Sequence, residues 1–98
     1  MIVLTAAARR HVRALQEHYE ARDRLEAVQG LRTALTAAWG KITADPAAGL
    51  PAPRPYPRLA QPGRAWIKTG RYWIAYSTRP PVAIVAVFHD AANIAGRL

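Results

Sequence analysis

Arg64-Ala65-Trp66-Ile67-Lys68-Thr69-Gly70-Arg71-Tyr72-Trp73-Ile74-Ala75-Tyr76-Ser77 is rich in aromatic and branched residues and is broken only at Thr69-Gly70. Successive side chains of a strand point to opposite faces, and glycine readily turns the chain, so this stretch reads as two antiparallel strands, residues 64–69 and 71–77. After a second turn, Thr78-Arg79-Pro80-Pro81, residues 82–88 are apolar at every position and are followed by His89. Such continuity is expected of a strand covered on both faces, so residues 82–89 are expected inside the sheet. Short turns join the three strands into a meander.

Upstream, the period changes from two to three or four. Ala8, Val12, Leu15 and Tyr19 form one stripe, with Arg9, Arg10, Arg13, Gln16, Glu17 and Glu20 on the other side, so residues 6–21 are expected to be an amphipathic helix capped by Thr5. Asp23 followed by Glu26 reads as a capping box for a second helix. Its stripe is Val28, Leu31, Leu35, Ala38 and Ile42, and Asp45-Pro46 stops it. Gly30 and Gly40 interrupt this helix, which is expected of a helix packed closely on a neighbour, the alternative being a kink. A very short link makes the two helices an antiparallel hairpin. Residues 2–4 (Ile-Val-Leu) read as a short strand pairing beside the last one.

Between hairpin and meander, residues 46–63 hold six prolines, which removes backbone donors and favours an extended, packed surface connection. The expected fold is therefore a two-layer α+β domain spanning residues 1–98: N-terminal strand, helical hairpin, three-stranded antiparallel meander. A chain of 98 residues builds one core only, which excludes large cofactor folds. It has no cysteine, hence no disulfide framework or thiolate chemistry, as expected in a reducing cytoplasm. The N-terminus lacks the basic lead-in of a signal peptide, and no apolar run is long enough for a membrane span.

Net charge is +8 and unevenly placed: residues 1–45 carry seven basic and five acidic groups, residues 46–98 seven and one. The electropositive second half suits an acidic partner, either nucleic acid or an acidic protein segment. Arginine outnumbers lysine twelve to two, which suits bidentate contacts to phosphate or carboxylate and also follows from arginine-rich composition. Ser77 is the sole serine and lies in a strand, so a serine hydrolase is excluded in practice. His11 and His18 are seven residues apart, roughly 10 Å along a helix, too far to share a metal ion. No metal motif and no phosphate-cradling glycine loop is present, so no cofactor is expected.

One constellation of reactive groups remains: Lys68, Arg71, Arg79 and His89, with Asp90 beside the histidine. Cations and an imidazole are what a metal-independent ribonuclease needs, and they are also ordinary surface charges. Trp66, Tyr72, Trp73 and Tyr76 lie among them and have the composition of a base-stacking platform. Alternation puts Tyr72, Ile74 and Tyr76 on one face and Trp73 on the other, so one set is core; an open set would equally hold a helix from a protein partner.

Met1-Ile2-Val3-Leu4-Thr5, two amphipathic helices, Ala44-Asp45-Pro46-Ala47-Ala48-Gly49-Leu50, Thr69-Gly70-Arg71-Tyr72-Trp73-Ile74-Ala75-Tyr76 and Val85-Ala86-Val87-Phe88-His89-Asp90, followed by Ala91-Ala92-Asn93-Ile94, occur in an order that resembles the RelE/ParE toxin superfamily over nearly the whole chain. The resemblance implies a bacterial type II toxin neutralised, in a hetero-oligomer, by an antitoxin with an acidic, flexible segment. The candidate antitoxin contacts are Arg64, Trp66, Arg71, Trp73 and Tyr76. RelE-like members cleave mRNA on the ribosome, and under that alternative Lys68, Arg71, Arg79 and His89 would be catalytic. ParE-like members poison DNA gyrase by protein contact. No tyrosine follows His89, and residues 46–63 hold no lysine cluster and no carboxylate, which places the resemblance on the ParE-like side.

Overall fold

A computed structural model describes residues 1–91; Ala92, Asn93 and Ile94, part of the resemblance above, lie outside the described residues. Thr5 is extended and its Oγ1 accepts the Ala8 N–H at 3.2 Å, starting α1, Ala6–Glu20, where the sequence placed it. The expected capping box before α2, Leu25–Ala44, is absent. Asp23 instead takes a left-handed conformation (φ 53°), which a short polar residue tolerates and which reverses the chain, so Arg24 occupies the cap position without a side-chain cap bond. Glu26 accepts from Arg24 Nε at 2.9 Å. The glycines of α2 are a second correction. A Cβ on Gly30 or Gly40 would meet nothing within 4 Å, because both lie off the buried stripe Val28, Leu31, Ala34, Leu35, Ala38 and Ile42.

Strands β1, Arg64–Thr69, β2, Tyr72–Ser77, and β3, Ile84–His89, pair antiparallel in the order β1-β2-β3. Within this sheet β2 has a strand on each side, and β3, expected inside, is flanked by β2 and, at Ile84 only, by the N-terminal residues. The outer edge of β3 is covered where residues 2–4 were expected to pair, though by less than a strand. Leu4 makes a single parallel bridge to Ile84, with Thr5 N–H donating to Ile84 O at 3.0 Å and Ile84 N–H to Val3 O at 2.9 Å. Further along, the Val87 N–H donates to His11 Nδ1 of α1 at 3.2 Å. Edge groups that would template another chain are thus engaged by the N-terminus and a histidine. The expected strand at residues 2–4 shrinks to that bridge because Thr5 turns the chain straight into α1.

The sheet is covered on both faces. Toward the helices, Tyr72, Ile74, Tyr76, Ile84 and Val87 pack on Ala8, Tyr19, Leu31, Leu35 and Ile42. On the other face, Trp66, Trp73, Ala75, Ala86 and Phe88 lie beneath Leu50, Tyr56 and Leu59 of the proline-rich connection. That connection holds two short 3-10 turns, Pro46–Ala48 and Pro57–Leu59. It is tied down by an antiparallel bridge in which Leu50 and Trp66 exchange two hydrogen bonds of 2.7 Å. A buried phenol adds a second tie: Tyr76 Oη donates to Pro46 O at 2.7 Å and accepts the Gly49 N–H at 3.1 Å. The α+β layout expected from sequence is present, with an irregular third layer.

Candidate functional site

The two turns at opposite ends of β2 divide the candidate residues. Thr69 pairs with Tyr72, leaving Gly70 and Arg71 as a two-residue turn, with Gly70 at φ 60° where a side chain is strained. Beside this turn, Asp90 N–H donates to Arg71 O at 2.7 Å, and Lys68 Nζ lies 3.4 Å from Asp90 Oδ2. His89 Nδ1 accepts the Ala91 N–H at 3.1 Å, which places the neutral ring's proton on Nε2. The same Nδ1 is 3.3 Å from Asp90 Oδ1, a contact that becomes an ion pair on protonation.

Lys68, Arg71, His89 and Asp90 are therefore neighbours, as a shared site requires. Arg79 is not among them. It follows β2 at the other end, beside Gly63, where an added Cβ would come 3.0 Å from Arg79 Nε. Six strand residues separate the two turns, roughly 20 Å at the usual rise. Arg64 pairs with Ser77 and belongs to the Arg79 end, so Arg64 and Arg71 also lie apart.

The aromatic candidates are not surface residues. Trp66 is 0%, Trp73 4% and Tyr76 1% exposed, so among the described residues these side chains form no open aromatic face for bases or for a partner helix. Strand alternation separated the two sets correctly, but both met a cover: the helices take Tyr72 and Tyr76, and the connection takes Trp66 and Trp73.

Two recesses adjoin the Arg71 end. One, of about 480 Å³, lies between α1 and the end of β3 and includes His11, Leu15, His18, Phe88 and His89. The other, of about 440 Å³, includes Tyr19, Arg24, Glu26, Gly30, Arg71 and Tyr72, with His89 shared between them. The sequence marks none of Tyr19, Arg24 and Glu26 as a site residue. Tyr19 looked like stripe and Glu26 like a cap, and nothing in their spacing signalled that α1 and α2 would bring them to the β1–β2 turn. Among the described residues no three His, Cys, Asp or Glu side chains gather as metal ligands would, and no helix is long and apolar enough to cross a membrane.

The Tyr19 and Tyr72 hydroxyls are 2.6 Å apart. Burial pushes the Tyr72 phenol well above its ordinary 10.0, the bond to Tyr19 adds to this, and the guanidinium groups of Arg24 and Arg71 oppose it only in part. Burial also raises Tyr76, against the Gly49 N–H that it accepts. A phenol that ionises at higher pH in the folded than in the unfolded state stabilises the fold below its unfolded value and ceases to do so as pH rises. The melting temperature should therefore fall as pH rises above 10, less steeply in Tyr72→Phe. Equal slopes in thermal melts of the two proteins would contradict the burial of this hydroxyl.

Two helices over a three-stranded antiparallel sheet, with a cluster of cations at one sheet end, define the chain as a small basic α+β domain. The chain matches no protein-family model and no curated protein.

Proposed function

We propose that this protein is the toxin of a bacterial type II toxin–antitoxin pair, similar to the ParE-like branch of the RelE/ParE superfamily. It acts in the cytoplasm by binding DNA gyrase and is held inactive in a hetero-oligomer with an acidic antitoxin. The element order and the basic second half support the toxin reading. The observation that carries binding over catalysis is the separation of Arg79 from Arg71 and His89, on a sheet whose two faces are both covered. A ribonuclease of this size needs its cations and its proton-transfer group around one phosphate, and a surface on which the strand can lie.

The alternative, ribosome-dependent mRNA cleavage, draws on the gathering of Lys68, Arg71 and His89 at one turn. The test is to induce the chain in bacteria without its antitoxin and to follow thymidine and methionine incorporation over the first minutes. Gyrase poisoning predicts an early fall in DNA synthesis with translation preserved, and growth arrest that persists when Arg71→Gln and His89→Gln are combined. Ribonuclease action predicts an early fall in translation and a loss of about 100-fold or more in potency in the double variant. That second pattern would overturn the gyrase reading, and no arrest at all would overturn both.

A further inference from the structure

The recess between the start of α2 and the β1–β2 turn holds a proton donor without an acceptor. Each phenol carries one proton, and the 2.6 Å contact between Tyr19 Oη and Tyr72 Oη uses one of the two. Among the described residues no acceptor receives the other. Tyr19 is 7% and Tyr72 5% exposed, and both residues line the recess. Phenols are protonated throughout the neutral range, and burial moves the Tyr72 phenol further from ionisation.

The charges around the recess are unbalanced in the same sense. Arg24 and Arg71 lie on it with one carboxylate, Glu26, while Asp90 beyond it is engaged by Lys68. Two guanidinium groups against one carboxylate leave one positive charge over. Arg24 already accommodates a carboxylate: its Nε donates to Glu26 Oε1 at 2.9 Å in a pair whose side chains are 57% and 70% exposed. Such an exposed pair is weak and readily exchanged.

We propose that this recess is a carboxylate-binding site, in which Arg71 and Arg24 supply the charge and the Tyr19–Tyr72 pair its remaining proton. A carboxylate matches the single unbalanced charge, where a phosphate dianion would exceed it. The ligand is an aspartate or glutamate side chain on an acidic peptide segment; for the identity of that partner the inference rests on the proposed toxin reading, but the site itself is tested without it.

The isotope-labelled protein is titrated, at constant ionic strength, with acetate, with a blocked glutamate-containing peptide and with inorganic phosphate, and amide resonances are followed. Acetate and the peptide are expected to shift Gly30, Gly70 and Arg71 saturably. Arg71→Gln, an exposed change that leaves the fold intact, should weaken both about tenfold through loss of a charged hydrogen bond. Tyr19→Phe combined with Tyr72→Phe, which keeps the ring volume, should weaken them similarly, and Lys41→Gln, away from the recess, should not. Shifts spread over Arg9, Arg10 and Arg13 of α1, unchanged binding in Arg71→Gln, or tighter binding of phosphate than of acetate would overturn the proposal. Growth arrest without localised acetate binding would remove this inference and leave the toxin reading; binding without arrest would do the reverse.

Discussion

Trp66→Ala is expected to cost about 3–5 kcal/mol, measured by urea unfolding, which is a large share of the roughly 5–15 kcal/mol typical of a domain. Trp66 is fully buried, stacks on Phe88 with ring centroids 6.4 Å apart, and lies beneath Leu50, Tyr56 and Leu59. Its removal opens a cavity that an extended, proline-stiffened cover relaxes into poorly. Trp66→Phe should cost far less, for two reasons. The phenyl ring keeps much of the contact, and the indole Nε1, buried with no hydrogen-bond partner among the described residues, disappears with its desolvation penalty of about 1–3 kcal/mol. A loss below about 1 kcal/mol in Trp66→Ala would mean that residues 46–63 do not cover this face in solution.

The second large effect is a coupled one at the point where the connection leaves α2. A Cβ on Gly49 would collide with Tyr76 Oη and lie 2.9 Å from Ala65 Cβ, so Gly49→Ala forces the connection off the sheet. Overpacking of this kind costs about 1–3 kcal/mol. Tyr76→Phe costs about the same, because it strands the Pro46 carbonyl and the Gly49 N–H together. The two changes should not add. Once the Tyr76 hydroxyl is gone the closest obstacle to the new methyl is gone with it, and the double variant should be more stable than the sum of the single losses by about 1 kcal/mol or more. Strict additivity in unfolding measurements would show that Gly49 and Tyr76 are not in contact.

Both predictions concern the proline-rich connection, which was the least legible part of the chain. Its six prolines excluded helix and central strand, and the expected packed surface connection is what the structure shows, but no periodicity announced which face of the sheet it would lie on. The cation site was legible in part. Lys68, Arg71 and His89 were recognisable as a group because a two-residue turn and a strand end bring them together locally. Arg79 was grouped with them by composition, and strand length then separated it. Tyr19 and Arg24 carry no signal in the sequence because their place depends on where one helix ends against a turn some fifty residues later, a distance that no local pattern encodes.

What the amino-acid sequence determined by itself were the local choices: the 3.6-residue stripes of α1 and α2, the Thr5 cap, the Asp45-Pro46 stop, the period-two strands and the Gly70 turn. These follow from backbone sterics and from short-range burial patterns, which a few residues suffice to set. Tertiary structure alone decided that His11 joins the N-terminal residues on the β3 edge, that both aromatic sets are buried, and that Tyr19, Tyr72, Arg24 and Arg71 share one recess. An apolar strand reads the same whether a neighbouring strand, a helix or an irregular segment covers it, since burial has no direction along the chain. Only the packing of distant segments chooses among those covers.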